Sequence, residues 1–363
     1  MKTVVVGNGI LGLTCALRLA QRGRAVTVVG DPARPGSATF AAAAMLSAFG
    51  EIETGALATP AGKSKLELGS LATEHWNAFA EELGVPVSRG TYLLDAGDLG
   101  EVARFDAVVA ALQEYDEPHA VVRPATVPGY APLLPARRAV RIDREGWIDP
   151  RAVVAALERL LATAGVEQIA GTARRVLGAH GVELVDGLVI EGTHTLIANG
   201  ASLTALLAAS ALPLHVQPVL FGVGTTLELA TTGQHTACLR SRGVYSVPHA
   251  DRVVVGSTNR IGPEPVDDPG AAARIIDGVV DLIDHNLGDA KVLRTNVGWR
   301  PTTADGYPLI GATSIPNLAI ASGTRRDGFH LAPVIADHLA GVLNGERGDT
   351  RFAAFAPERP VIP

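Results

Sequence analysis

Three glycines near the start of the chain carry its clearest chemical signal. Gly7, Gly9 and Gly12 follow the apolar run Thr3 to Val6 and precede a helical pattern. In that setting the first glycine makes a tight turn, the second lets the backbone approach a pyrophosphate, and the third lets a helix pack closely on a strand. The helix N-terminus then turns its unpaired amides toward the phosphates. The same glycine spacing occurs in ordinary turns, so the flanking elements must decide. Ile10, Leu13, Leu17 and Ala20 form one apolar stripe, Gly23 is placed to end the helix, and Ala25 to Val29 read as a second strand. Strand, turn, helix and strand together predict a dinucleotide site.

Such a site usually closes its second strand with an acid, about 20 residues on, that takes the adenosine ribose. Gly30 stands there instead, and Asp31 follows it. Asp31 either serves the ribose from one residue further along or is a turn residue before Pro32.

The chain of 363 residues is long enough for two domains, and 47% hydrophobic content supplies a sizeable core. A formal charge of -6 without a basic run argues against nucleic acid and anionic membrane as partners. Cys15 and Cys238 lie far apart, in no metal or redox spacing, and read as buried thiols in a reducing compartment. The first strand begins at Thr3, with no room before it for a leader, and no stretch approaches the ~18 apolar residues of a membrane span. A soluble cytoplasmic enzyme is expected; a homo-oligomer is compatible with this composition.

Pro32, Pro35 and Gly36 mark a loop, followed by Thr39 and the run Ala41 to Ala44 before Met45. The alanines suit either a helix start or a wall of small side chains for a flat ligand. Helices are expected over Lys65 to Leu83 and around Val102 to Gln113, with Val85 to Leu94 extended between them. Pro118, Pro124, Pro128, Pro132 and Pro135 mark an irregular segment, a candidate lid over a pocket. Asp149 caps a helix starting at Pro150 and ending at Gly165, and strands follow at Val166 to Ala170, Glu183 to Val185 and Thr195 to Ala198. Leu214 to Val297 alternates in the manner of β-structure, with a hairpin turning at His249, Ala250 and Asp251. A strand at Leu318 to Ala321, a loop from Gly323 to Gly328 and a final helix ended by Gly345 complete the chain.

The expected fold is α/β plus α+β. A Rossmann-like, discontinuous dinucleotide-binding domain takes residues 1–85, 147–213 and 300–363, and an antiparallel-sheet substrate domain takes residues 86–146 and 214–299.

Two later stretches add to the glycines: Val297-Gly298-Trp299-Arg300-Pro301, running on to Asp305-Gly306-Tyr307-Pro308-Leu309-Ile310-Gly311, and Ala321-Ser322-Gly323-Thr324-Arg325-Arg326-Asp327-Gly328-Phe329. With the opening motif and Ala41 to Leu46, they resemble the FAD-dependent D-amino-acid oxidase superfamily, and within it most closely the glycine oxidases. The resemblance covers nearly the whole chain.

It implies that Gly7, Asn8, Gly9, Ile10, Leu11 and Gly12 form the FAD pyrophosphate site, and that Thr39, Ala42, Ala43, Ala44 and Met45 line the flavin side. The backbone of Ala173 would meet the adenine, and Asp327, Gly328 and Phe329 would bring the final helix to the flavin edge. Arg300 would pair with a substrate carboxylate, Tyr245 would hydrogen-bond it, and Arg326 would lie near both substrate and flavin. A planar guanidinium suits that task because two parallel hydrogen bonds fix orientation as well as charge. Read without the resemblance, Arg300 is equally a surface arginine before a proline turn, and Tyr245 a strand aromatic.

The activity so implied is oxidation of glycine or an N-substituted glycine by hydride transfer to noncovalent FAD. The imine would hydrolyse to glyoxylate and an amine, with O2 reduced to hydrogen peroxide. The alternatives are a dehydrogenase passing electrons to a carrier, a D-amino-acid oxidase, and a non-catalytic flavin-binding protein. Thiamine precursor supply and secondary metabolism both suit the chemistry. Thr324 and Arg325 replace the usual His and aromatic residue before the second arginine, and Asp327 replaces an Asn. The added cation at Arg325 either binds a second acid on the substrate or points to solvent.

Overall fold

The computed structural model describes residues 1–231, 235–241 and 243–362. A six-stranded sheet runs in the order Leu309–Ala312, Leu318–Ser322, His194–Ile197, Lys2–Val6, Ala25–Gly30, Glu167–Ala170. Its strands are parallel except for the antiparallel edge strand Leu309–Ala312. Val4 and Val6 face one core and Val5 the other, and all three are buried. Burial on both faces is why this strand reads as a continuous apolar run. Helices Ile10–Gln21, Pro60–Leu83, Pro150–Thr163 and Gly328–Leu343 supply one core. A three-stranded sheet and the helix Leu203–Ser210 cover the other face.

A larger, mainly antiparallel sheet runs from Arg260–Gly262 through Val219–Ala230, Arg252–Gly256, Val244–Pro248, Cys238–Ser241, Ser88–Asp95 and Arg138–Trp147 to Met45–Leu46. The strand Val292–Thr303 pairs along Val219–Ala230 and passes residue 300 without a break. Arg300 and Pro301 therefore lie inside a strand and not in a turn. The hairpin expected around His249 to Asp251 is present, with the His249 amide donating to the Arg252 carbonyl at 2.7 Å.

Three expectations change. The long second helix begins at Pro60, not Lys65, because the Thr59 side chain accepts from the Gly62 amide and Pro60 fills the first turn. The stretch 214–297 contains a helix, Ala271–Leu282, whose Ile275 and Val279 pack on Leu227, Leu229, Val253 and Val255 of the sheet. The proline-rich segment is no lid: His119–Val122 pairs with Arg138–Trp147, the Leu133 amide donates to the Val280 carbonyl, and none of its residues lines the large cavity.

Asp149 ties the helix Pro150–Thr163 to the large sheet. Its carboxylate accepts from the Arg151 amide at 2.9 Å, capping Pro150–Thr163, and from both terminal nitrogens of Arg252 at 3.1 Å. The Arg252 side chain is only 4% exposed; without Asp149 it would keep Asp251, to which it donates at 2.7 Å, and Glu228 at 3.6 Å, but lose the pairing of both terminal nitrogens with one carboxylate. Asp149→Ala is expected to lower the unfolding free energy by about 2 kcal/mol, the cap and one of two carboxylate partners together. A urea denaturation midpoint shifted down at unchanged slope would show it.

Candidate active site

Gly7 ends the first strand with φ of +120°, and a Cβ there would stand 2.3 Å from the Ala198 carbonyl oxygen. A Cβ on Gly12 would stand 1.9 Å from the Gly7 oxygen. The helix Ile10–Gln21 thus lies directly against the turn. Its N-cap residue, Gly9, offers no side-chain cap, and Thr39 Oγ1 accepts from the Ile10 amide at 3.0 Å.

This turn forms one end of a cavity of about 940 Å³. Gly7, Asn8, Gly9, Ile10 and Leu11 line it, whereas Gly12 sits behind the turn. Asp31, Thr39, Ala42, Ala43, Ala44, Met45 and Ala173 are on the same wall, with Asp327, Gly328 and Phe329 at the start of the final helix. Asn199 Oδ1 is buried on that wall without a hydrogen-bond partner. Cys15 and Cys238 are fully buried and off the cavity, and burial pushes the Cys238 thiol up to about 12. Neither is placed to attach a flavin.

The other end brings Tyr245, Arg300, Arg325 and Arg326 together. Arg300 comes from the strand Val292–Thr303, and its guanidinium lies over Gly224, where a Cβ would be 2.0 Å from Nη1. It donates to the Thr258 carbonyl and the Ser257 hydroxyl, each at 3.0 Å. Tyr245 lies opposite Gly256, and a Cβ there would touch its hydroxyl at 2.7 Å. Burial raises the Tyr245 pKa, partly countered by Arg300 and Ser257, so the phenol stays a neutral donor.

Sequence reasoning missed the residues that hold this end in place. Glu51 is buried among Arg240, Arg326, Arg104 and Lys65; burial alone would raise its pKa, but these cations hold it at about 2. Arg240 bonds Glu51 and also donates to Ser47 Oγ at 2.8 Å, and Ser47 donates to the buried Glu145 at 2.6 Å. Lys65 pairs with Asp327 at 2.8 Å, which neutralises the acid found where Asn is usual. Arg104 reaches in from the helix Leu99–Glu114 to bond the Gly50 carbonyl. The sequence clue is a charged residue, Arg240, directly after the apolar pair Cys238 and Leu239.

Residues 2–342 match the family model described as "DAO: FAD dependent oxidoreductase". The chain belongs to this family of FAD-dependent oxidoreductases. It is 27% identical to the bifunctional protein ThiO/ThiG of Nostoc sp. over 97% of its length, but spans only 54% of that relative. It therefore covers about half of the bifunctional proteins it matches. The glycine oxidase of Geobacillus kaustophilus is 26% identical over 98% of this chain and 96% of its own. The crystal structure of glycine oxidase from that organism superposes with a TM-score of 0.85, at 22% identity over 99% of both chains. That of iminodiacetate oxidase from Chelativorans sp. BNC1 gives 0.82, at 22% identity over 99% of this chain and all of the other.

FAD is the cofactor of this family, and the glycine-lined turn opening a helix and the orphaned Asn199 oxygen fit it. Among the described residues no helix is long and apolar enough to cross a membrane.

Two expectations follow. Gly224→Ala should displace the Arg300 guanidinium and weaken acetate binding by about tenfold, the scale of one charged hydrogen bond; titration of the flavin spectrum with acetate measures it. His330 hydrogen-bonds Thr73 at 3.0 Å, and burial lowers its pKa from 6.5 to about 4. The unfolded chain then binds a proton that the folded chain refuses between these values, so stability falls as pH drops from 6.5 to about 4. His249, also lowered to about 4, adds to the slope. The thermal midpoint of His330→Gln should depend less on pH across that window.

Proposed function

We propose that this protein oxidises glycine or an N-substituted glycine and transfers the electrons to O2. The observation that carries this reading is the Arg300 guanidinium, seated on Gly224 beside Tyr245 in the cavity that the glycine turn also lines. A fixed planar cation next to a neutral phenol matches a carboxylate, which accepts two parallel bonds from one and a third from the other. Anchored there, a substrate presents its α-carbon to the wall formed by Ala42 to Met45. The surrounding cations also disfavour a protonated amine, leaving the nitrogen lone pair available without a side-chain base. When bound, FAD supplies the two-electron acceptor for the α-hydride and a route to hydrogen peroxide. The substrate leaves as an imine that water converts to glyoxylate and the free amine. The two buried thiols suit a reducing compartment, the cytoplasm.

A second carboxylate on the nitrogen substituent would find partners here. Arg326 stands 3.7 Å from Glu51 and 3.9 Å from Glu53, and Arg325 stands 4.0 Å from Glu53, all beyond hydrogen-bond reach. Their donors face a cavity that Arg104 also lines. The chain resembles, among others, an iminodiacetate oxidase in fold, and N-(carboxymethyl)glycine has the matching pair of acids.

Anaerobic mixing with glycine, sarcosine, N-(carboxymethyl)glycine and D-alanine tests both statements. Bleaching of the flavin by the glycines but not D-alanine is expected, with peroxide on admitting air; an unbleached flavin with every amine would refute the enzyme reading. Peroxide absent after bleaching would favour the dehydrogenase. Arg300→Lys should lower kcat/KM by about a hundredfold, from the loss of bidentate binding. Arg104→Gln should lower the preference for N-(carboxymethyl)glycine over sarcosine by about tenfold, the scale of one charged hydrogen bond.

A further inference from the structure

Gly30 ends the second strand where an acid would ordinarily take the adenosine ribose. Its neighbour Asn8 explains the substitution. A Cβ on Gly30 would stand 2.3 Å from Asn8 Cγ and 2.6 Å from its Oδ1, so the Asn8 carboxamide fills the volume that an acid's side chain would enter. Asn8 Nδ2 donates to the Asp31 carbonyl at 3.0 Å, which fixes which end of the amide is free. Its Oδ1 receives no hydrogen bond from the described residues, and Asn8 lines the cavity against Gly30. Asp31, the other candidate, uses Oδ1 to accept from the Ala33 amide at 2.8 Å, closing a local turn. That bond gives one of the two carboxylate oxygens to shaping the loop.

We propose that Asn8 and Gly30 act as an exchanged pair, in which the carboxamide oxygen of Asn8, and not an acid on the second strand, accepts from the ribose hydroxyls of FAD. The acceptor has moved from the end of the second strand to the glycine turn itself. Gly30 is then required for a steric reason: any side chain there expels Asn8. The acceptor so supplied is neutral, since Asn8 carries no charge. This inference depends on FAD binding and not on the identity of the substrate.

The test measures FAD dissociation from the holoenzyme by recovery of flavin fluorescence on dilution. Asn8→Ala should raise the dissociation constant about tenfold, the scale of one hydrogen bond to a ribose hydroxyl. Gly30→Glu should raise it at least as far, because the new side chain collides with Asn8. The double variant Asn8→Gly with Gly30→Glu should bind FAD more tightly than Gly30→Glu alone, since the acid then has room. Asp31→Ala should leave the constant within about twofold of the wild type, below the scale of a hydrogen bond.

A role limited to pinning the Asp31 loop is separated by a second readout, the displacement of FAD by ADP and by 2′,3′-dideoxy-ADP. The wild type should favour ADP, and Asn8→Ala should erase that preference. The proposal is overturned if Asn8→Ala binds FAD as the wild type does, if it keeps the preference for ADP, if Asp31→Ala loosens FAD tenfold, or if the double variant is no tighter than Gly30→Glu.

Discussion

A largely buried carboxylate holds the arginine-rich end of the cavity together. Glu51 sits where four elements converge: Arg240 from the large sheet, Arg326 from the loop before the final helix, Lys65 from the long helix, and Arg104 from the helix beside the cavity. A carboxylate so placed would by itself be driven toward its neutral form, and four cations would by themselves repel one another. Each needs the other. Arg240 takes most of the charge by direct contact, while Arg326 stays 3.7 Å away and keeps donors for something else. The same acid that makes the cluster tolerable therefore leaves Arg326, with Glu53 at 3.9 Å, without a direct hydrogen bond to either carboxylate.

Glycines set the geometry that this cluster serves. Gly224 and Gly256 lie on neighbouring stretches of the large sheet, and their missing side chains are where Arg300 and Tyr245 rest. The two polar groups lie across the sheet surface without displacing it. At the far end Gly7 and Gly12 let a turn, a helix and the Ala198 strand end meet within van der Waals distance. The two ends follow one rule: absent Cβ atoms create the space, and backbone and guanidinium groups fill it with donors.

This explains what could be read from the chain and what could not. The glycine turn, the first helix and the hairpin carrying Tyr245 are local, since neighbours along the sequence determine them. Asp149 was legible as a cap for the same reason. Arg300 was named only because its motif resembles a family; its residue type and its Pro301 neighbour point as easily to a surface turn, and only the pairing of its strand with Val219–Ala230 buries it. Glu51, Arg104 and Arg240 lie in no motif. Their meaning comes from contacts between residues tens to hundreds of positions apart, as with Arg240 and Ser47, and no local pattern records such contacts. The helix Ala271–Leu282 was missed because the alternation of the strands around it dominated the reading.

Gly30 shows the same limit from the other side. On sequence it is a defect, an acid missing from a known position, and Asp31 is the obvious repair. In the structure the defect and its compensation face each other: Asn8 lies over Gly30, while Asp31 gives one oxygen to its own loop. An acceptor can thus migrate between two segments that meet only in the folded sheet, because the ligand senses where an oxygen stands and not which strand supplies it. A charged acceptor would bind ribose hydroxyls more strongly than a neutral one, but next to a pyrophosphate it also adds repulsion. A neutral amide anchored through its nitrogen gives up some of the first to avoid the second. The turn that approaches the phosphates most closely is where that exchange is most favourable.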